Sequence, residues 1–370
     1  MLPSTYRRMP AIALLGALAL TTGCGSDNAV RGNDPVPVPA DLECVDGTVT
    51  GSGSSAQEKA MQVWIAGFQG ACDDARVYYD SIGSGGGRSQ FIDGAVAFAG
   101  SDAALDPAEA EEASRRCTDA GAINIPVYVV PIAVVFNLPG VESLNMGPET
   151  IARVFTGAIT DWNDPEIAEA NPDAELPDLP IAPVSRSDES GTTENFTAYL
   201  EATAGDAWPY EHSGQWPIPP AEAGQGNSGV AQAVESGGGT IGYLESSHAQ
   251  GMSTVKVGVG DGFVELSPEA AAGVIAASPE REGNSEHDHA LDLDYATSET
   301  GVYPIVLVSY EIMCQTYPEA SDASAVKAFV NYILSDEGQQ AASEETGSAP
   351  LSPEVRENLV ASVATVDGGR

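Results

Sequence analysis

A short segment near the middle of the chain combines one arginine with several small hydrogen-bond donors. The donors of this segment, VSRSDESGTTENFTAYL at residues 184–200, are Arg186, Ser190, Gly191, Thr192 and Thr193. A guanidinium, hydroxyl groups and the free N–H groups of a helix N-terminus can together bind an anion. The segment therefore predicts an anion site, although two acids, Asp188 and Glu189, lie within it.

Two other turns share this Ser/Gly-rich composition, GSGSSAQ at 51–57 and GSGGGRSQ at 83–90. All three follow a strand candidate and precede a helix candidate, whose N-terminus leaves N–H groups unpaired at a partially positive end. In open α/β sheets the ligand crevice lies beyond the carboxyl ends of the strands, where such turns are found. The three turns favour one shared anion site, and ordinary helix capping remains the alternative.

Other chemistries fit these motifs poorly. The chain has no GxxxxGK[ST] phosphate loop, and none of the three turns is a GxSxG nucleophile elbow. A serine hydrolase also needs a well-placed histidine, and the four histidines are His212, His248, His287 and His289. His287 and His289 flank Asp288 in a polar loop without a third anchored ligand, so we expect a solvated loop there and no metal or cofactor.

Length and charge set broad limits on the function. At 370 residues the chain is long enough for two domains, and 42% hydrophobic residues indicate a folded protein. The formal net charge is -39, and lysine occurs only at positions 59, 256 and 327. Such a chain cannot displace counterions along a nucleic-acid backbone, so we expect no nucleic-acid binding. A saline habitat and drift within an acidic proteome are both compatible with this charge.

The N-terminus has the features of a lipoprotein signal peptide covering residues 1–23. Arg7 and Arg8 precede a ten-residue apolar run that is too short to span a bilayer. The small residues before Cys24 are similar to a bacterial lipobox, in which the cysteine becomes the acylated first residue, although Thr21 stands where leucine is usual. A plain signal peptide is the alternative.

Export gives the remaining cysteines an oxidising context. We expect a protein lipid-anchored on the outer face of the cytoplasmic membrane or in the periplasm, with residues 24–43 as a Pro-rich flexible tether. The remaining cysteines are Cys44, Cys72, Cys117 and Cys314, and their spacing matches no zinc pattern. They therefore predict two disulfides, for which three connectivities exist. Because Cys44 and Cys72 each precede a strand candidate, we favour Cys44–Cys72 with Cys117–Cys314.

Strand candidates alternate with helix candidates along the chain, which favours a parallel sheet flanked by helices. The apolar run at 123–137 contains Pro126 and Pro131, so it predicts an extended crossover rather than a helix. Residues 302–313 predict a further strand, and residues 325–342 predict one amphipathic helix.

The segment SRSDESGTTENFTAYL resembles the signature of the high-affinity phosphate-binding proteins that serve the bacterial phosphate ABC importer. Further stretches resemble the same family: IGSGGGRSQFIDGAVAFAGSDAAL, FTGAITDWNDPEIAEANP at 155–172, GNSGVAQAV at 226–234 and GTIGYLE at 239–245. The resemblance implies a two-lobed, type II periplasmic-binding-protein fold with mixed sheets flanked by helices and two hinge strands. It places residues 44–130 and 304–370 in lobe I and residues 131–303 in lobe II.

The resemblance also implies the residues that contact phosphate: Ser55, Ala56, Ser84, Asp102, Arg186, Ser190, Gly191 and Thr192. Asp188 is expected to brace Arg186, and Asp102 to accept the proton that hydrogen phosphate carries. Sulfate lacks that proton, so its oxygens would face the carboxylate without a hydrogen bond. Glu189 stands where the family usually has glycine, and we expect it to face solvent near the cleft mouth.

The function implied is capture of inorganic phosphate and its delivery to the membrane permease of a phosphate ABC importer. We expect a monomeric binding protein that is no enzyme and has no cofactor. One alternative is a receptor for another protonated oxyanion, such as arsenate or a phosphonate. Another is a secreted phosphohydrolase or serine hydrolase that uses Ser190 or Ser84, and a second activity as a surface adhesin remains open.

Overall fold

The computed structural model describes residue 39 and residues 42–369. The predicted signal peptide, Cys24 and most of the predicted tether lie outside these residues. No helix within the described range is long and apolar enough to cross a membrane.

The strands alternate with helices over most of the described chain. In chain order they are β1 (Gly47–Gly53), β2 (Ala75–Ser81), β3 (Phe98–Ser101), β4 (Ala122–Phe136), β5 (Ser143–Met146), β6 (Ala182–Arg186), β7 (Glu222–Gly224), β8 (Thr240–Glu245), β9 (Ser253–Val259), β10 (Gly262–Val264), β11 (Val306–Cys314), β12 (Thr316–Tyr317) and β13 (Asp367–Gly368).

The helices follow the strands as the sequence pattern predicts, with the C-terminal ones forming a group. They are α1 (Glu58–Ala71), α2 (Ser84–Ile92), α3 (Pro107–Arg116), α4 (Pro148–Thr156), α5 (Pro165–Ala170), α6 (Gly191–Thr203), α7 (Gly226–Ser236), α8 (Pro268–Ala277), α9 (Ala320–Leu334), α10 (Asp336–Thr346) and α11 (Pro353–Ala364). Short 3₁₀ turns occur at Gly205–Ala207 and Ser246–Ala249.

An eleven-stranded mixed sheet runs in the order β2-β1-β3-β11-β4-β8-β6-β7; β9 also pairs with β4, and β5 and β10 pair with β9. Strands β12 and β13 form a separate two-stranded sheet. The long strand β4 changes partner along its length. It pairs with β11 over residues 122–131 and with β8 over residues 132–136. Almost all of its residues are buried. Pro126 lies beside the irregularity where the β4–β11 register shifts, and Pro131 lies where β4 changes partner, two places where a sheet tolerates proline.

The change of partner in β4 divides the rest of the chain. We call residues 42–121, which precede β4, the N-terminal segment. We call residues 137–305, which lie between β4 and β11, the insertion. The N-terminal segment supplies β1, β2 and β3, and the insertion supplies β6, β7 and β8.

Helix α1 is buried beneath the C-terminal helices and holds this part of the core together. Trp64 donates a hydrogen bond from Nε1 to the carbonyl of Gly338, 2.8 Å away. The ring of Phe68 packs edge-on against Phe329 at a centroid distance of 5.4 Å. Large aromatic side chains buried in this way contribute much of the hydrophobic stabilisation. They hold α1 in place, and with it the turn between β1 and α1.

The disulfides form in the pairing that the sequence favours. Cys44–Cys72 joins the starts of the neighbouring parallel strands β1 and β2, with Cα atoms 5.3 Å apart. Cys117–Cys314 joins the end of α3 to the end of β11, with Cα atoms 5.1 Å apart.

Three predicted elements differ from the structure. The single helix predicted at 325–342 is two helices, because Ser335 ends α9 and its side chain accepts from the Gly338 N–H to cap α10. The strand predicted from residue 302 begins only at 306. The loop at 280–293 is not simply solvated: Asp288 accepts from the backbone and side chain of Asn124, and His289 lies 2.8 Å from both Glu280 and Ser362.

Candidate functional site

The three predicted turns lie close together, and a fourth turn joins them. Ser55, in the turn between β1 and α1, accepts a hydrogen bond from Arg186 Nη2 at 3.0 Å. The same hydroxyl accepts from the backbone and side-chain nitrogens of Asn227, at 3.1 and 3.0 Å, in the first turn of α7. The N-terminal segment and the insertion therefore meet at Ser55.

Arg186 is buried at the end of β6 and is fixed by a carboxylate two residues away. Its Nε and Nη2 donate to the two oxygens of Asp188 at 2.9 and 2.5 Å, and the Gly226 N–H also donates to Asp188 at 3.0 Å. Burial opposes ionisation of Asp188, but the hydrogen bonds and charge of Arg186 outweigh it and lower the pKa of the carboxyl. Asp188 therefore stays ionised and orients the guanidinium.

Asp102 follows β3 and is buried among hydroxyl groups. Its Oδ1 accepts from Ser54 at 2.6 Å and from Ser309 at 2.5 Å, and its Oδ2 accepts from Ser84 at 3.3 Å. Burial raises the pKa of Asp102, while these hydrogen bonds and the charge of Arg186 act in the opposite direction. The arrangement supplies a strong hydrogen-bond acceptor beside a cation.

The N-terminus of α6 packs against Asp102. The Ser190 hydroxyl caps this helix by accepting from the Thr193 N–H at 3.1 Å. A Cβ added to Gly191 would lie 2.6 Å from both Asp102 Cβ and Ser84 Oγ, so only glycine allows this close approach. The helix end, with its unpaired N–H groups, is thereby held over the acceptor.

Two buried donor groups at the site lack a hydrogen-bond partner within the described part of the chain: Arg186 Nη1 and Thr192 Oγ1. Buried polar groups are nearly always paired, and these two lie among the residues predicted to bind the anion, so a ligand oxygen can serve as their partner. By contrast, the Ala56 N–H donates to Ser54 Oγ at 2.9 Å. All eight residues predicted to contact the anion are buried in this one region.

Glu189, which replaces the expected glycine, lies at the edge of the site. Its side chain is 45% exposed, as expected for a residue that faces solvent. Among the described non-glycine residues only Thr118 and Asp119 have a positive φ, so glutamate at this position causes no left-handed strain.

Neither serine considered for a hydrolase is paired with a histidine among the described residues: the Ser84 hydroxyl contacts Asp102, and the Ser190 hydroxyl accepts from the Thr193 N–H. His248 has its pKa lowered to about 4 by burial and by the charges of Lys59 and Arg186. No group of acids, histidines and cysteines within the described chain could hold a metal ion.

Sequence reasoning missed three residues of the site: Ser54, Asn227 and Ser309. A local signal existed for the first two, because Ser54 lies in the first Ser/Gly turn and Asn227 lies in GNSG, another stretch of small residues, which forms the first turn of α7. Ser309 has no such signal, since it lies within β11 and reaches Asp102 only through the pairing of β11 with β3.

The comparisons with known proteins agree with this geometry. Residues 39–337 match the model of a PBP superfamily domain. The phosphate-binding protein PstS 3 of Mycobacterium tuberculosis is 36% identical over 367 residues, which cover 96% of this chain and 98% of the relative. The chain belongs to the phosphate-binding PstS family.

Solved structures show the fold of this PstS-family chain. One is a high-affinity periplasmic phosphate-binding protein bound with phosphate, with a TM-score of 0.69 and 22% identity over 86% of this chain and 93% of that chain. A second, from Clostridium perfringens, is described as a phosphate ABC transporter substrate-binding protein, with a TM-score of 0.58 and 21% identity over 81% and 98%. The predicted two-lobed periplasmic-binding-protein fold is thus confirmed.

Proposed function

We propose that this PstS-family protein captures inorganic phosphate between its N-terminal segment and its insertion and delivers it to the permease of an ABC importer. The observation that carries the proposal is the buried Asp102 carboxylate, which lies among the donors of the site, whereas the other carboxylate there, Asp188, is paired with Arg186. A site for a fully deprotonated anion gains nothing from a buried carboxylate. Hydrogen phosphate, in contrast, can donate a hydrogen bond from its P–OH group to Asp102 while its other oxygens accept hydrogen bonds.

The proposed contacts divide by chemical role. Arg186 supplies the positive charge, braced by Asp188. The hydroxyl and backbone donors are Ser55, Ser84, Ser190, Gly191 and Thr192, together with Ala56, whose N–H would have to exchange its hydrogen bond to Ser54 for one to the anion. Family membership, the convergence of these residues and the unpartnered atoms of Arg186 and Thr192 support this assignment.

Capture would proceed by closure of two lobes. Lobe I would comprise residues 44–130 and 304–370, and lobe II residues 131–303. The change of partner in β4 between residues 131 and 132 supports a boundary there, because the strand leaves one half of the sheet and enters the other. Hinge bending of the two connecting strands would open the cleft.

Export and membrane attachment complete the proposal. The signal-like residues 1–23 would be removed, and Cys24 would carry the lipid that anchors the protein outside the cytoplasmic membrane. The protein would act as a monomer without enzymatic activity. Export is supported by two proteins of the same fold, a periplasmic phosphate-binding protein and a phosphate ABC transporter substrate-binding protein.

Calorimetric titration with phosphate, arsenate and sulfate tests the proposal. We expect tight binding of phosphate, binding of arsenate because it is also protonated, and sulfate binding weaker by at least about a hundredfold. Comparable binding of sulfate, or no binding of phosphate, would overturn the proposal.

A further inference from the structure

A second arginine, Arg88, lies beside the site on α2 and is almost fully buried. Within the N-terminal segment, its Nε donates to Glu109 at 2.8 Å and its Nη1 donates to Ser101 at 3.1 Å. Ser101 immediately precedes Asp102 in the chain, so these contacts fix the guanidinium beside the proposed anion site. Only 6% of the Arg88 side chain is exposed.

The same guanidinium also faces two carboxylates of the insertion. Its Nη2 lies 3.5 Å from Glu189 and its Nη1 lies 3.9 Å from Glu194. These two acids flank Ser190, the residue that caps α6. Arg88 therefore connects the helix that starts after β2 with the helix end that is proposed to contact the anion.

The carboxylates around Arg88 keep its guanidinium charged and so favour this contact. Burial alone would lower the pKa of Arg88, but Glu194, Glu109 and Glu189 outweigh it and raise that pKa, so the cation is retained. In a chain of net charge -39, Arg88 places a buried positive charge among three carboxylates, that of Glu109 in the N-terminal segment and those of Glu189 and Glu194 in the insertion.

Close backbone packing accompanies the ion pairs. The Gly85 N–H donates to the Glu189 carbonyl at 3.2 Å, and a Cβ added to Gly85 would lie 2.3 Å from Glu189 Cδ. Glu189 thus lies across the first turn of α2 and reaches Arg88 from there. Glycine at position 189 would provide neither the packing nor the charge.

We propose that Arg88, Glu189 and Glu194 form an ionic clasp that holds the N-terminal segment against the insertion and slows phosphate release. The inference rests on the proposed capture of phosphate by closure. It explains the acid at position 189: Glu189 repels a bound anion at a distance but stabilises the closed form through Arg88. The clasp and simple repulsion predict opposite effects when the charge of Glu189 is removed.

The rate at which radiolabelled phosphate dissociates, measured after dilution into unlabelled phosphate, distinguishes the clasp from simple repulsion. Glu189→Gln and Glu194→Gln should each speed release about 3-fold, and the double variant about 10-fold, as for partly exposed ion pairs. Glu111→Gln is the matched control, because Glu111 pairs with Arg115 on the surface of α3, where the two side chains are 78% and 65% exposed. The control should release phosphate at the wild-type rate.

The dependence of the release rate on salt concentration is a second measurement. It would be the same in the wild type and the double variant if Arg88, Glu189 and Glu194 contributed packing alone. Raising NaCl from 0.1 to 1 M should speed release from the wild type toward the rate of the double variant and should affect the double variant little. Unchanged or slower release from Glu189→Gln, or an equal salt effect in both proteins, would overturn the clasp.

Failure of the clasp can be distinguished from failure of the proposed function. If the wild type binds no phosphate, the proposed function fails, and small-angle X-ray scattering of the unliganded proteins still tests closure. We expect a larger radius of gyration for the double variant than for the wild type and the Glu111→Gln control. Equal radii together with equal release rates would overturn the clasp while leaving phosphate capture intact.

Discussion

At the scale of single residues, the most informative atoms are Arg186 Nη1 and Thr192 Oγ1, which are buried without a partner among the described residues. A buried polar group left without a partner costs about 1–3 kcal/mol. The two groups lie where β6 ends and α6 begins. Ligand oxygens that accept from them would avoid this cost, so we expect both groups to contribute to the affinity for phosphate.

Thr192→Val tests this idea because valine keeps the shape of threonine and removes the hydroxyl. We expect phosphate affinity to fall about 10-fold, with no loss in the free energy of unfolding, since the hydroxyl has no partner within the described chain. Calorimetry and urea denaturation measure the two effects.

Thr193→Val is the matched control for that variant. The Thr193 hydroxyl lies 2.7 Å from the Tyr243 hydroxyl, so its removal should lower the free energy of unfolding. Wild-type phosphate affinity in Thr192→Val would contradict the assignment.

Glu245 should make the stability of the protein depend on pH. Burial raises the pKa of Glu245 to about 7, although hydrogen bonds from Ser247 favour its ionised form. Because the folded pKa lies above the ordinary value of 4.5, the group's contribution to stability is complete below about pH 4.5 and is lost as the pH rises through 7. Glu245→Gln removes this titration.

The free energy of unfolding, measured with urea at pH 5 and pH 8, should therefore fall more in the wild type than in Glu245→Gln. The expected difference is on the order of 2 kcal/mol. An equal fall in the two proteins would show that Glu245 is not the group responsible.

At the scale of elements, the small-residue turns could be predicted because their composition is local. The turns before α1, α2 and α6 each combine glycine with hydroxyl residues, and sequence alone places them after strands. What could not be predicted is which partner each turn meets. Ser309 reaches Asp102 through strand pairing, and the break at Ser335 depends on a side-chain cap inside an otherwise helical pattern.

The first turn of α2 shows how closely two elements meet. A Cβ at position 85 would lie 2.3 Å from Cδ of Glu189, whose half-exposed side chain can rotate away. We therefore expect Gly85→Ala to move Glu189 away from Arg88 and to weaken phosphate binding about 3-fold, with little change in thermal stability. Calorimetry and thermal unfolding provide the measurements.

Gly86→Ala is the control for this effect. A Cβ at position 86 would meet only Ile82 of the same turn, at 3.1 Å or more. This variant should bind phosphate as the wild type does. Equal affinities for both alanine variants would argue against close packing between α2 and the insertion.

At the scale of the whole molecule, the acidic charge and the anion site are compatible because they act over different distances. Surface acids are screened over about 8–10 Å at moderate salt, whereas Arg186 and the hydroxyl donors act by direct contact. The prolines within residues 123–137 allowed an extended crossover to be predicted, and that crossover is β4. The partner that each half of β4 takes follows only from the three-dimensional pairing.

The central claim is that a buried carboxylate selects a protonated oxyanion, and one calorimetric measurement tests it directly. The ratio of phosphate to sulfate affinity should be at least about a hundred in the wild type and should collapse toward unity in Asp102→Asn, because the asparagine N–H can donate to either anion. A wild type that binds sulfate as tightly as phosphate, or an Asp102→Asn variant that keeps the wild-type ratio, would contradict the account.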